Sequence, residues 1–224
     1  MKPDPSPRLT IVSELPAFAL VALAGSLALV WLLMLLGEGG ARDHALLLGL
    51  YAGGHPVLVT AARYVSDFGA PVAYHAVAAV AALVLVFQRR VTAAAVLLAV
   101  TVTGRIVEEF QKAHFALARP PAHFHLAPTT TFAFPSGHAT NSMVTYLATA
   151  LLLAGATRWA RWAVVPAIFT ALAVGVSRVM LGVHWPSDVV AGWAFGAFWA
   201  LACVRLADVF YTRAATRNAS EALT

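Results

Sequence analysis

Two histidines and an aspartate in the second half of the chain have the types and spacing of a nucleophilic site. His184 and Asp188 are four residues apart across the turn 185–187, and Pro186 suits the first turn of a helix. A carboxylate within reach of Nδ1 would fix the imidazole tautomer and leave Nε2 free to attack phosphorus. His138 could protonate the leaving oxygen and then activate water. The pattern predicts two histidines with different roles.

Three cations accompany these side chains at the ends of apolar stretches, where ionisable residues are costly and are functional candidates by default. They are Lys112, Arg119 and Arg178. Arginine matches phosphate oxygens with a planar fork, and lysine supplies a compact charge. Ser136 and Gly137 precede a helix, so their amides and the helix N-terminus can point at the same oxyanion. These residues together predict a phosphate-binding site.

Two neighbouring acids, Glu108 and Glu109, are candidate supporting residues. Helical spacing pairs Arg105 with Glu109 and Glu108 with Lys112, and simple ion pairing is the plainer interpretation. The alternative is that either glutamate shapes the electrostatic field of the site or positions Lys112 or Arg178.

Apolar segments determine where these residues can meet. Only two segments long enough to cross a bilayer, 139–157 and 162–181, lie between the first and last groups of candidates, so the chain crosses and returns. We therefore expect the stretches 112–120, 135–138 and 177–188 to face the same side of a membrane.

The composition requires a bilayer as the solvent of this protein. Of 224 residues, 60% are hydrophobic and 11% charged, and the mean hydropathy is +0.77, whereas soluble domains carry roughly 25% charged residues. The single cysteine, Cys203, excludes a disulfide framework and a thiolate metal cluster. The net charge of +5 comes from 15 scattered Lys and Arg residues, which argues against nucleic-acid binding.

The predicted fold is an all-α, polytopic membrane helix bundle in one domain, 1–224, with the motif core at 112–188. Six transmembrane helices are expected, at 15–37, 68–88, 91–111, 139–157, 162–181 and 187–207. The first is too long for a cleavable signal. The stretch 45–62 is interrupted by Gly53, Gly54 and Pro56 and is expected to form short interfacial or re-entrant helices. If it crossed instead, the N-terminus would change side.

Positive charge in short loops predicts the orientation. Arg89, Arg90, Arg161 and the basic residues of both tails would lie inside, so the tails 1–14 and 209–224 are predicted to be cytoplasmic. The phosphate site would then face the periplasm or the extracellular space. We expect the membrane to be a bacterial inner, or plasma, membrane.

The motifs K-x6-RP, PSGH and SR-x5-H-x3-D resemble those of the type 2 phosphatidic acid phosphatase superfamily, the lipid phosphate phosphatases. The resemblance implies His184 as nucleophile, His138 as acid and Asp188 as the partner of His184. It also implies catalysis without a metal cofactor, which agrees with three cations that leave few carboxylates free for magnesium or calcium. The residues implied to hold phosphate are Lys112, Arg119, Ser136, Gly137 and Arg178.

The expected function is removal of phosphate from a lipid phosphate or pyrophosphate through a phosphohistidine. Undecaprenyl pyrophosphate, phosphatidylglycerol phosphate and phosphatidate all fit such a site, and oligomeric state is left open. One alternative is a lipid-linked phosphotransferase, which the product would identify. Another is a membrane transporter that uses the charged cluster 105–109 as a relay. Haloperoxidase chemistry with vanadate is a more remote alternative.

Overall fold

The computed structural model describes residues 9–155, 157 and 159–221. This part of the chain forms eight α-helices and two short 3-10 helices, Ile11–Glu14 and Ala122–Phe124. The α-helices are α1 (Ala17–Gly37), α2 (Ala41–Leu50), α3 (Pro56–Asp67), α4 (Pro71–Phe87), α5 (Val91–Phe115), α6 (Gly137–Ala154), α7 (Ala160–Met180) and α8 (Pro186–Glu221). The ends of the two predicted tails, 1–8 and 222–224, lie outside the described residues. Residues 209–221 are the last turns of α8.

The centre of the bundle is α6, which packs against α4, α5, α7 and α8 and is buried along most of its length. Small residues let the neighbouring backbones approach, as is common between membrane helices. A Cβ at Gly196 of α8 would lie 2.7 Å from the carbonyl oxygen of Thr140. Close backbone packing therefore holds α6 against α8. This packing does not depend on apolar side chains, so the first turns of α6 can carry polar ones.

Four helices in the described residues are long and apolar enough to cross a membrane, namely α1, α5, α7 and the segment Pro186–Ala214 of α8. The pair α3 and α4, bent by 41° at its break, could form a fifth span. The chain is an integral membrane protein. Each of the six stretches predicted to cross coincides with a helix, although α6, whose first two turns are polar, is not among these candidates.

The expected helix pair after the first span is present as α2 and α3. The chain breaks between them at 51–55, and Pro56 occupies the first turn of α3. The amide of Ala52 donates to the carbonyl of Met180 at 2.9 Å, which anchors the break against the end of α7. The two helices bring polar side chains, Asp43 and Ser66, into the bundle.

One end of the bundle is closed by polar contacts between distant segments. The carboxylate of Asp208 accepts hydrogen bonds from the Leu9 amide at 2.7 Å and the Thr10 hydroxyl at 2.8 Å. Arg90, before α5, donates to the Leu153 carbonyl of α6 at 3.0 Å. The N-terminal segment, the α4–α5 turn and the end of α6 thus meet α8 at this end, and the three motif segments lie at the other.

Candidate active site

A polar cavity of about 240 Å³ opens where the three motif segments meet. The site residues predicted from the sequence that line it are Lys112, Arg119, Gly137, His138, Arg178 and His184, together with Glu108 and Glu109. Ser136 and Asp188 are completely buried and contact the lining residues on the side away from the cavity. The structure therefore brings the predicted residues together at one end of the bundle.

The His184 and Asp188 side chains form the predicted pair. His184 Nδ1 lies 3.0 Å from Asp188 Oδ2, and the same oxygen accepts a hydrogen bond from the Trp185 amide at 2.8 Å. His184 precedes α8 and Asp188 lies in its first turn, so the turn between them sets their separation. Both side chains are buried, which makes the orientation of the imidazole rigid.

The other ring nitrogen of His184 meets Arg119, which lies 3.0 Å away through Nη1. A guanidinium can only donate, so Nε2 must accept, and the ring proton must sit on Nδ1 facing Asp188. Burial, followed by the positive charges of Arg119 and Lys112, lowers the pKa of His184 well below its usual range. The imidazole is therefore neutral and has its lone pair on the cavity side.

The side chains of Arg119 and Lys112 donate hydrogen bonds to backbone carbonyl oxygens. Arg119 donates to the carbonyls of Thr131 at 2.7 Å and Val183 at 2.6 Å. Lys112 Nζ donates to the Phe132 carbonyl at 2.8 Å. The loop between α5 and α6 thus wraps over the cations and holds them at the cavity wall.

Ser136 and Gly137 differ in what they offer to a ligand. The Ser136 amide donates to the backbone carbonyl of Asp188 at 3.0 Å, so it is occupied, while its buried hydroxyl oxygen has no hydrogen-bond partner among the described residues. A Cβ at Gly137 would lie 2.8 Å from Glu108 Oε1 and 3.5 Å from Lys112 Cε. Glycine at the start of α6 therefore permits the close approach of α5.

Arg178 enters the cavity from the last turn of α7. Its Nη1 donates to Ser66 Oγ of α3 at 2.7 Å, and its buried Nε lacks a partner in the described part of the chain. Ser66 was missed by the sequence analysis because a lone serine in a short helix carries no motif.

The acids on α5 make the ion pairs expected from helical spacing. Glu108 lies 3.5 Å from Lys112 Nζ, and Glu109 lies 2.6 Å from Arg105. Asn141 of α6 donates to Glu108 Oε2 at 3.2 Å, a contact between helices that the sequence analysis missed. Glu108 is fully buried, so it neutralises Lys112 inside the bundle.

Two further acids, missed by the sequence analysis, lie behind Asp188. Asp43 Oδ1 accepts a hydrogen bond from the Ser187 amide at 2.9 Å, and its other oxygen accepts from the Ser187 hydroxyl and from the Gly39 amide at 2.8 Å. The carboxyl of Glu38, directly after α1, lies beside the Asp188 carboxyl. These contacts connect α1 and α2 to the start of α8.

Comparison with known proteins identifies the family of this chain. The family model described as PAP2 superfamily matches residues 92–211, more than half of the chain and all three motif segments. The chain belongs to the PAP2 superfamily. Its resemblance to the type 2 phosphatidic acid phosphatases, inferred from the motifs, is thereby confirmed.

Relatives in the superfamily include enzymes of lipid phosphate metabolism. The chain is 35% identical over 124 residues to the undecaprenyl-diphosphatase of Sulfolobus acidocaldarius, a match covering 53% of this chain and 57% of that protein. It is 37% identical over 149 residues to the decaprenylphosphoryl-5-phosphoribose phosphatase of Mycolicibacterium smegmatis, covering 62% and 73% of the two chains. The chain thus spans little more than half the length of the Sulfolobus relative.

A solved structure has the same fold. The transmembrane PAP2-type phosphatidylglycerolphosphate phosphatase from Bacillus subtilis superposes with a TM-score of 0.74 at 24% identity, over 80% of this chain and 93% of its own. This chain therefore shares the fold of that membrane protein over most of its length.

Proposed function

We propose that this chain is an integral membrane phosphatase that releases inorganic phosphate from a lipid phosphate or diphosphate without a metal ion. The observation that carries the proposal is the orientation of His184. Its Nδ1 faces Asp188 and its Nε2 presents a lone pair in a cavity lined by Lys112, Arg119 and Arg178. A neutral histidine aimed into a cationic cavity is suited to attack a phosphate.

Phosphate binding requires an exchange of partners at Arg119. The guanidinium would move from Nε2 to the phosphate oxygens, where two parallel hydrogen bonds are stronger than one to an imidazole. Arg178 and Lys112 supply the remaining charge, and the Ser136 hydroxyl supplies a further hydrogen bond. The exchange exposes Nε2 to phosphorus only when a substrate is present.

The first chemical step forms a bond from His184 Nε2 to phosphorus and breaks the bond from phosphorus to the leaving oxygen. His138 shares the cavity with Lys112, Arg119 and Arg178, so it becomes protonated only once the negative charge of a phosphate is bound. It then gives that proton to the leaving oxygen, and Asp188 stabilises the positive charge that develops on His184. In the second step His138 accepts a proton from water as the water attacks the phosphohistidine. Inorganic phosphate leaves, and His184 and His138 return to their starting forms.

The surroundings of the cavity favour an amphiphilic substrate. Pro71 of α4 and Glu109 of α5 line the cavity, and their neighbours Val72 and Phe110 are 83% and 68% exposed. Exposed apolar side chains on membrane helices face lipid. A substrate can therefore leave its tail in the bilayer while its phosphate enters between α4 and α5.

The names of the relatives suggest the substrate class. Those relatives are named for a polyprenyl diphosphate and a polyprenyl phosphoryl pentose, and the structural neighbour for phosphatidylglycerol phosphate. We propose lipids of these kinds, including undecaprenyl pyrophosphate and phosphatidate, as the panel to be tested.

We further propose six membrane crossings, by α1 and α4 to α8, with the site on the outer face of a bacterial plasma membrane. Support comes from the contact of Leu9 and Thr10 with Asp208, because segments that touch at one end of the bundle require an even number of crossings between them. The 18 residues of α6 span about 27 Å, close to the thickness of a hydrocarbon core.

The test is phosphate release by the detergent-purified full chain in excess EDTA, from the lipid panel, beside His184→Ala and His138→Ala. We expect release by the wild type and a loss of at least about 100-fold in kcat for either variant. The matched control is His55→Ala, because His55 is exposed and lies outside the cavity; it should retain wild-type activity.

The products separate the proposal from its alternatives. Transfer of phosphate to a second lipid with no inorganic phosphate would indicate a phosphotransferase, and movement of intact lipid across vesicles would indicate a transporter. Full activity of His184→Ala, or activity lost in EDTA and restored by a divalent cation, would overturn the proposed mechanism.

A further inference from the structure

We infer that Glu38 is a positioning residue whose carboxyl group holds one proton against Asp188 and so keeps Asp188 aligned with His184. The inference rests on the proposed function, because it concerns the partner of the proposed nucleophile. It adds to the site a residue directly after α1, outside the three motif segments.

The hydrogen-bond inventory of Asp188 requires such a donor. Asp188 is completely buried, and its Oδ2 already accepts from the Trp185 amide and faces His184 Nδ1. Its Oδ1 has no N–H or O–H donor among the described residues, and the same holds for Glu38 Oε2. Because the two carboxyls lie beside each other, one shared proton would satisfy both groups.

The proton belongs on Glu38 rather than on its neighbours. Asp43 of α2 accepts hydrogen bonds from three donors, in Ser187 and Gly39, so both of its oxygens already have partners. Asp188 also faces two donors, whereas Glu38 has no comparable set in the described part of the chain. Burial, with a further contribution from the charge of Asp43, raises the pKa of Glu38 from its ordinary 4.5 to about 7.

The other charged groups around this carboxyl pair come from several elements. Lys112 of α5 and Arg119 of the following loop interact electrostatically with Asp188, and His184 lies between them and the pair. On the α2 side, the His44 ring packs against the Trp185 ring at a tilt of 48°, with the ring centroids 4.5 Å apart. The cations therefore lie on the cavity side of Asp188, and no cation among the described residues contacts Glu38. Ionisation of Glu38 would place a second carboxylate, with no cation of its own, beside Asp188.

The consequence is a dependence on pH with a defined sign. The pKa of Glu38 is higher in the folded protein than in the unfolded chain. The stability that the protonated Glu38 carboxyl contributes to the fold is therefore fully present below about pH 4.5 and is lost as pH rises through about 7. Above that value Glu38 and Asp188 repel, and the end of α1 separates from α8. The alignment of His184 should weaken over the same range.

Three variants test this inference. Glu38→Gln keeps a donor that cannot ionise, Glu38→Leu removes the donor, and Asp208→Asn alters a buried carboxylate at the opposite end of the bundle. We expect wild-type kcat to fall as pH rises through about 7. The kcat of Glu38→Gln should not decline with pH, and at pH values below about 7 it should stay within about threefold of the wild-type value. The kcat of Glu38→Leu should be roughly tenfold lower at every pH, with little change in KM. Asp208→Asn should lower Tm and keep the wild-type pH midpoint.

A second readout does not require a substrate. The Tm of the detergent-purified wild type should fall between about pH 4.5 and about pH 7 relative to that of Glu38→Gln. The inference would be overturned if kcat or Tm of Glu38→Gln declined with pH as in the wild type. It would also be overturned if Glu38→Leu kept the wild-type kcat. If the wild type releases no phosphate while the two Tm profiles differ as expected, the proposed function fails and the shared proton stands.

Discussion

At the residue scale, the decisive feature is that each ring nitrogen of His184 has a different partner. His184 Nδ1–H donates a hydrogen bond to the carboxylate of Asp188, and the guanidinium of Arg119 donates to the Nε2 lone pair. Two contacts of opposite polarity thus select one tautomer. The spacing of His184 and Asp188 predicted the first contact, since four residues across a helix start bring the side chains together. The second depends on a loop conformation that no local pattern encodes.

Replacing Asp188 by asparagine tests the electrostatic half of this arrangement. An amide oxygen can still orient the imidazole, but it cannot stabilise the positive charge that develops during attack. We expect kcat for Asp188→Asn to fall by about 10²- to 10⁴-fold, with KM within a few-fold of wild type, in steady-state phosphate release. Asp208→Asn is the matched control for loss of a buried carboxylate. An unchanged kcat in Asp188→Asn would contradict the assigned role.

At the element scale, helix ends place the chemistry. The apolar pattern located all six long helices but misplaced some ends: α5 continues to Phe115, beyond the predicted 111, because Lys112 finds Glu108 and the Phe132 carbonyl inside the bundle. Similarly, α6 begins at Gly137, two residues before the predicted start. Hydropathy marks where apolar side chains stop, whereas a helix ends where its backbone hydrogen bonds end.

The junction of α5 and α6 can be tested through Gly137. Alanine there would place a Cβ 2.8 Å from Glu108 Oε1, so the carboxylate or the start of α6 must shift. We expect Gly137→Ala to lower kcat/KM by roughly tenfold or more, because displacement of about 1 Å at a reacting centre is costly. The control is Gly25→Ala in α1, where a Cβ meets nothing within 4 Å. Equal kcat/KM in the two variants would argue against close packing as the reason for this glycine.

At the scale of the whole molecule, the site draws on segments far apart in sequence. Ser187 and Asp43 are 144 residues apart, and neither Asp43 nor Glu38 belongs to a motif. An acid at the end of an apolar helix normally faces water at the membrane surface, so their burial beside Asp188 could not be predicted without the packing of α1 and α2. The meeting of the three motif segments at one end of the bundle was predictable, because only two helices lie between the first segment and the last.

The proposed topology makes a prediction about labelling in intact cells. In a Cys203→Ala background, Ala122→Cys lies in an exposed loop at the site end and Gln88→Cys in an exposed turn at the other end. We expect an impermeant maleimide to label Ala122→Cys in intact cells and Gln88→Cys only after permeabilisation. Labelling of both positions from outside would mean that the turn at Gln88 is not cytoplasmic.

The backbone hydrogen bonds of Arg119 and Lys112 have a consequence for product release. Arg119 and Lys112 donate to the carbonyls of Thr131, Val183 and Phe132, so inorganic phosphate must compete with backbone oxygens for these donors. Inorganic phosphate should therefore be a weak inhibitor. The tail of the lipid must supply most of the affinity, and once the bond to that tail is cut, the phosphate has little to retain it. These backbone contacts thus favour turnover over trapping of the product.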